Sequence, residues 1–125
     1  MAYTIREVTA KTGISAHTLR FYEKEGVVPA VARDGNGNRA YDEQTLEWLR
    51  FVLCLRATDM PLADIKRYIA LYQQGDATVP ARKEIMRRHK EKVERQMMHL
   101  YSCLEMINYK LALYDVREKT LTALP

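Results

Sequence analysis

The sequence predicts a mainly α fold, in which a winged helix-turn-helix unit at residues 1–75 is followed by a long coiled-coil helix at residues 76–120 and a short tail at residues 121–125. Three observations lead to this prediction. Two short helical patterns are separated by a glycine, a valine-rich segment with turn signals follows them, and no Gly or Pro occurs between Pro80 and Pro125.

The first two helices are marked by capping signals. Thr4 and Glu7 have the spacing of a capping box, and Gly13 is typical of the left-handed residue that ends a helix. Ser15 is a second N-cap candidate, and Gly26 would end the helix that it starts. The apolar side of this second helix is formed by Leu19, Phe21 and Tyr22. Two short helices joined by a tight turn predict a helix-turn-helix.

The next segment, up to Tyr41, favours extended structure. Val27, Val28 and Val31 are β-branched, and residues 34–37 read Asp-Gly-Asn-Gly, which contains two strong hairpin-turn dipeptides. We therefore expect a β-hairpin wing.

Two further helices follow the wing. Asp42 caps a third helix that ends near Asp59, and the pair at residues 60–61, Met-Pro, starts a fourth helix that Gly75 closes. Their apolar residues recur at intervals of three and four, as a buried helix face requires. These residues are Leu46, Leu49, Val52, Leu53, Leu62, Ile65, Ile69 and Tyr72.

The last helical segment, from about residue 79 to residue 119, would be about 60 Å long. Its apolar residues fit heptad positions a and d, although Lys83 and Lys90 weaken the seam at its start. A stripe of this length has no partner large enough within the chain, so we expect a homodimer. The predicted interface residues are Val93, Met97, Leu100, Leu104, Ile107, Leu111 and Tyr114.

The composition of the chain indicates the kind of partner and the cellular compartment to expect. The chain has 125 residues, and its 20 Lys and Arg against 16 Asp and Glu give a net charge of +4, which favours a polyanionic partner. No signal peptide and no membrane span are visible, so a cytoplasmic protein is expected. The two cysteines, Cys54 and Cys103, are expected to be thiols in a reducing compartment.

Several motifs in one order resemble the MerR family of bacterial transcription regulators. Residues 3–5 read Tyr-Thr-Ile, residues 18–26 read Thr-Leu-Arg-Phe-Tyr-Glu-Lys-Glu-Gly, and residues 38–41 read Asn-Arg-Ala-Tyr. Residues 60–66, Met-Pro-Leu-Ala-Asp-Ile-Lys, and the long last helix extend the resemblance over nearly the whole chain.

The resemblance implies function and partners. Members of this family bind double-stranded promoter DNA as dimers, and their dimer helices pair as an antiparallel coiled coil. They bend and untwist the DNA so that RNA polymerase can use promoter elements whose spacing is too long. For this chain, the resemblance implies a regulator that is not an enzyme, with no cofactor.

The DNA-contacting residues are expected on two elements. The second helix would enter the major groove with His17, Thr18 and Arg20 exposed, and the resemblance assigns Arg20 and Tyr22 to the DNA backbone. Thr4 would present the free amides of the first helix to a phosphate. The wing would offer its own polar residues to flanking phosphates, namely Arg33, Asn38, Arg39 and Tyr41. The alternative is that these are ordinary surface charges and aromatic residues at the edge of the core.

Cys54 is the candidate effector site. A small NmlR- and AdhR-like branch of the family responds to aldehydes and related electrophiles, and it has one cysteine at this position of the third helix. Sensing requires the thiolate, which Arg50 or Thr58, each one helical turn away, would favour. The alternative is that Cys54 is a buried packing residue, since a free cysteine often behaves as a small hydrophobe.

The sequence leaves other functions as alternatives. Cys103 and His99 share a helix face, but two donors fall short of the three or four of a usual metal site, so no metal is expected. A metal-responsive regulator and a coiled-coil adaptor without DNA binding remain alternatives. An enzyme that pairs Cys54 with His17 would lack the third, orienting group.

Overall fold

The computed structural model describes residues 2–28 and 32–123, and within them the chain forms five α-helices and a two-stranded sheet. The elements are α1 (Ile5–Thr12), α2 (Ala16–Glu25), β1 (Ala32–Arg33), β2 (Arg39–Ala40), α3 (Glu43–Ala57), α4 (Leu62–Gln73) and α5 (Val79–Ala123), with a short 3-10 helix at Asp76–Thr78 before α5. The predicted mainly α fold, with its wing and its long last helix, is confirmed.

The helix-turn-helix has the predicted capping. Thr4 Oγ1 accepts from the backbone N–H of Glu7 at 3.2 Å, and the carboxylate of Glu7 accepts from the N–H of Thr4 at 3.2 Å, which completes the capping box. Ser15 Oγ accepts from the N–H of Thr18 at 3.1 Å and caps α2. Gly13 ends α1 with a φ of 79°, which L residues with a side chain rarely adopt.

The wing is a short antiparallel hairpin in which Ala32 pairs with Ala40 and Arg33 with Arg39. Its turn is closed by a hydrogen bond of 2.8 Å from the N–H of Asp34 to the carbonyl of Asn38. Val31, which was expected in this hairpin, lies outside the described residues. An isolated bridge between Tyr3 and Tyr41 ties the segment before α1 to the segment after β2.

The chain divides into two compact units, and the first runs to Ile85. Its core is formed by side chains of the helices α1, α2, α3 and α4 and of the segments between them. Phe21 and Tyr72, both expected to face inward, are exposed. Because successive helical residues are rotated by about 100°, Phe21 lies on nearly the opposite side of α2 from the buried Leu19. The core residues are Val8, Leu19, Val27, Val28, Tyr41, Leu46, Leu49, Val52, Leu55, Met60, Ile65 and Ile69.

The second compact unit begins at Met86 and consists of the rest of α5. At 45 residues, α5 is about 68 Å long. Within the described residues, no helix is sufficiently long and apolar to span a bilayer.

Candidate nucleic-acid interface

Residues of α1, α2 and the wing surround a basic concavity of about 270 Å³. It brings together five residues that the sequence predicted as DNA contacts, although they come from distant positions in the chain. The lining residues are Thr4, Ile5, Arg6, Arg20, Arg33, Asp34, Asn38 and Arg39.

The charge of this concavity favours an anion. Four of its lining side chains are arginines, and its one carboxylate, Asp34, is engaged by the turn of the wing. Asp34 Oδ1 accepts from the backbone N–H groups of Asn36, at 2.8 Å, and Asn38, at 3.0 Å. A planar guanidinium group can donate two parallel hydrogen bonds to two oxygens of a phosphate, so several of them around one recess give the concavity the chemistry of a contact with the DNA backbone.

Arg6 is a lining residue that the sequence analysis missed. It is the second residue of α1, where a cation is disfavoured by the positive end of the helix dipole. The sequence does contain a signal for this role of Arg6, because a basic residue is unusual in the first turn of a helix and Arg6 lies two places after Thr4, a predicted phosphate contact.

Thr4 lines the concavity at the start of α1, whose free amides were expected to face a phosphate. The capping box already occupies the N–H groups of Thr4 and Glu7. A phosphate at this end of α1 would therefore meet the N–H groups of Ile5 and Arg6 before those of the capping box.

On α2, His17 and Arg20 are exposed, whereas Thr18 and Tyr22 are half-buried. The hydroxyl of Thr18 accepts a hydrogen bond of 3.0 Å from the hydroxyl of Ser15. Arg20 lines the basic concavity, while His17, Thr18 and Tyr22 lie outside its lining. Arg20 therefore lines the same concavity as residues of the wing, and His17 is a surface residue at the start of α2.

Tyr41 is buried, with 2% of its surface exposed, so its side chain belongs to the core and not to the DNA-facing surface. This corrects the expectation that it meets a flanking phosphate. Its hydroxyl has no hydrogen-bond partner among the described residues. Burial raises the pKa of Tyr41, and the carboxylate of Glu23 raises it further, whereas nearby arginines act in the opposite direction.

We expect Tyr41→Phe to keep the affinity for DNA and the fold, since the change removes only a buried hydroxyl without a partner. The melting temperature should stay the same or rise. Thermal unfolding by circular dichroism and fluorescence anisotropy with labelled duplex DNA would measure the two properties. A large loss of affinity with unchanged melting would show that the hydroxyl does reach DNA.

In the single chain, Cys54 is exposed on α3. The hydroxyl of Thr58, expected to favour the thiolate, donates to the backbone carbonyls of Cys54 at 2.9 Å and Leu55 at 3.1 Å. These two bonds use the hydroxyl of Thr58 at the C-terminal end of α3.

Cys103 is exposed on α5, and its sulfur lies 3.8 Å from Nε2 of His99. The described residues contain no group of three or more His, Cys, Asp or Glu side chains that would hold a metal ion. The two donors therefore remain a pair on a helix surface.

Of the predicted dimer residues, Val93 is half-buried and the others are exposed. They follow one face of α5. The opposite face of the same helix is also apolar, with Met98, Met106, Tyr109, Leu113 and Val116 exposed. The two faces are separated by about half a turn of the helix, because successive residues are rotated by about 100°.

Comparisons with known proteins place the chain among DNA-binding regulators. A family model described as "MerR HTH family regulatory protein" matches residues 3–71, and a second, described as "MerR, DNA binding", matches residues 46–108. An uncharacterized HTH-type transcriptional regulator of Haemophilus influenzae is 42% identical over 115 residues, which cover 92% of this chain and 85% of the relative. The HTH-type transcriptional regulator AdhR of Bacillus subtilis is 39% identical over 82 residues, which cover 66% of this chain and 59% of AdhR.

The fold has a similar solved structure. The crystal structure of HiNmlR, described as a MerR family regulator lacking the sensor domain and bound to promoter DNA, has a TM-score of 0.86 and 40% sequence identity, and the match covers 95% of this chain and 94% of HiNmlR.

Proposed function

Because this chain belongs to the MerR family and is therefore a DNA-binding transcriptional regulator, not an enzyme, we propose that it acts on promoter DNA as a homodimer and responds to electrophiles through Cys54. The basic concavity between α1, α2 and the wing is the observation that carries the DNA-binding part of this proposal.

The concavity contacts the phosphate backbone of the DNA, and the start of α2 contacts the bases. Arg20, Arg33 and Arg39 meet phosphate oxygens, while His17 and Thr18 lie at the end of α2 that enters the major groove in helix-turn-helix proteins. The crystal structure of HiNmlR bound to promoter DNA supports DNA binding by this chain.

Dimerisation through α5 gives the protein two DNA-binding units. Exposed apolar patches mark protein–protein contact sites, and two antiparallel copies of α5 would cover the exposed stripe around Leu104 and Ile107. Two units on one DNA site can bend and untwist the DNA between them, at a cost of about a few kcal/mol that their contacts offset. RNA polymerase would then engage promoter elements that are otherwise misaligned.

The direct test of DNA binding is selection followed by a salt titration. The full-length protein is incubated with a randomised pool of DNA duplexes, and an enriched duplex is labelled for fluorescence anisotropy. We expect one enriched sequence, and an affinity whose logarithm falls linearly with the logarithm of salt concentration. Failure to enrich any sequence would contradict the proposal.

The electrophile response rests on the exposure of Cys54 and on the AdhR- and HiNmlR-like sequence. A thiolate adds to the carbonyl carbon of an aldehyde, so that a carbon–sulfur bond forms, the carbonyl π electrons move to oxygen, and this oxygen takes a proton. The adduct places a polar hydroxyl on α3. A ligand shifts a conformational equilibrium only if it interacts differently with the two states, so the proposal requires that the new hydroxyl contact two arrangements of the DNA-binding unit differently.

Cys54→Ala should fold, dimerise and bind the selected DNA, but lose the transcriptional response to formaldehyde and methylglyoxal. Alanine preserves helix propensity, and the exposed position needs no packing volume. A promoter–reporter assay measures the response, and mass spectrometry of the treated protein locates the adduct. Cys103→Ala is the matched control and should respond like the parent. A full response in Cys54→Ala would show that the signal enters elsewhere.

A further inference from the structure

We propose that Glu23 is a positioning residue for DNA binding, because its carboxylate holds the guanidinium of Arg39 at the basic concavity. This inference rests on the proposed function, since it gives Glu23 a role only through the contact of Arg39 with DNA. Glu23 is absent from the lining of the concavity, whereas Arg39 is part of it.

The ion pair between Glu23 and Arg39 joins α2 to the wing. Glu23 lies near the end of α2 and Arg39 lies in β2, sixteen residues further along the chain, and Arg39 Nε donates to Glu23 Oε2. Both side chains are largely shielded, with 23% of the Arg39 side chain and 19% of the Glu23 side chain exposed. An ion pair in such surroundings is screened less by salt and water than one on the open surface.

The atoms used in the pair leave Arg39 able to bind an anion. Arg39 donates to Glu23 through Nε, and among the described residues no bond from its two terminal amino groups competes with a phosphate oxygen. Arginine has several rotatable bonds, and fixing it in place before DNA arrives removes an entropy loss from the binding step.

Glu23 also offsets repulsion within the concavity. Arg39 shares this recess with Arg6, Arg20 and Arg33, and four like charges at close range disfavour a fixed arrangement. The hydrogen bond that Arg39 donates to Glu23 raises the pKa of Arg39 above its usual value, which agrees with a carboxylate that stabilises this cation. A carboxylate that did not position the arginine would repel phosphate and weaken DNA binding. Whether Glu23 raises or lowers the affinity for DNA therefore distinguishes positioning from repulsion.

Glu25 provides a matched control on the same helix. Its carboxylate accepts from Nζ of Lys66 on α4 at 2.6 Å, and Lys66 lowers the pKa of Glu25. Neither residue of this pair lines the concavity. Glu25→Ala therefore removes the same charge and an ion pair of α2 without touching the proposed DNA contact.

The test is a double-mutant cycle with the full-length protein and a fluorescein-labelled duplex that the parent selects from a randomised pool. We expect Glu23→Ala to weaken binding about tenfold and Glu23→Gln to weaken it less, because the amide oxygen still accepts from Nε. The double variant Glu23→Ala/Arg39→Ala should bind like Arg39→Ala alone. Glu25→Ala should bind like the parent.

Salt titrations separate positioning from direct contact. Arg39→Ala should flatten the dependence of log affinity on log salt, whereas Glu23→Ala should not, because the arginine still reaches the phosphate. Unchanged or tighter binding by Glu23→Ala, or losses that multiply in the double variant, would overturn the proposal. If Arg39→Ala itself binds normally, the failure lies in the proposed contact with DNA. Circular dichroism of each variant confirms that it is folded.

Discussion

Leu104→Asp should convert the protein from dimer to monomer at micromolar concentration, and it should abolish tight binding to the selected duplex. We expect the dimer dissociation constant to rise on the order of a thousandfold. Sedimentation velocity reports the oligomeric state, and fluorescence anisotropy reports DNA binding.

The size of this effect follows from symmetry and burial. Leu104 is 51% exposed in the single chain and lies in the middle of the predicted stripe, so dimerisation would bury two copies of it near each other. Two carboxylates at that place would lose water and repel each other, at a cost of several kcal/mol. DNA binding falls as well, because a monomer has only half of the phosphate contacts.

Met106→Asp is the matched control, since Met106 is 73% exposed on the opposite face of the same helix. It introduces the same charge into the same helical segment. We expect this variant to remain a dimer and to bind DNA. Dissociation of Met106→Asp together with an intact Leu104→Asp dimer would assign the interface to the other apolar face of α5.

Arg20→Ala should weaken binding to the selected duplex by about a hundredfold and leave helicity and dimerisation unchanged. A charged hydrogen bond contributes about 1.5 kcal/mol or more, and a symmetric dimer loses two of them. Arg20 is exposed and lines the concavity, so its removal leaves no cavity in the core.

The salt dependence identifies the nature of the lost contact. Each phosphate contact contributes about one unit to the slope of log affinity against log salt, so Arg20→Ala should flatten the slope by about two units per dimer. Arg95→Ala on α5 removes an equal charge from an exposed position outside the concavity, and it should change neither affinity nor slope. A loss of affinity with an unchanged slope would argue against a phosphate contact by Arg20.

The elements of the fold were predictable because they depend on local chemistry. Thr4 and Glu7 form their capping box within four residues, and the glycine after α1 adopts the left-handed conformation that the sequence suggests. Residues 34–37 form the expected turn. Such features require no knowledge of the rest of the chain.

The composition of the site was predictable only in part, because it depends on contacts between distant elements. The sequence identified Arg20, Arg33 and Arg39, but it did not show that Arg6 joins them or that Glu23 holds Arg39. It also placed Tyr41 at the DNA surface, whereas packing buries it. A tyrosine near a turn fits either place, and only tertiary structure decides between them.

The electrophile response and the dimer interface remain proposals. The exposure of Cys54 meets a necessary condition for sensing, since an electrophile must reach the thiol. The apolar stripe of α5 meets a necessary condition for pairing.

Footprinting of the full-length protein on the DNA next to its own gene tests whether the dimer binds promoter DNA and distorts it. We expect a protected site with two-fold symmetry between the promoter elements, with enhanced cleavage near its centre where the DNA is bent and untwisted. Arg20→Ala should lose this protection at the same protein concentration. The absence of protection by the parent protein, or equal protection by Arg20→Ala, would contradict the account.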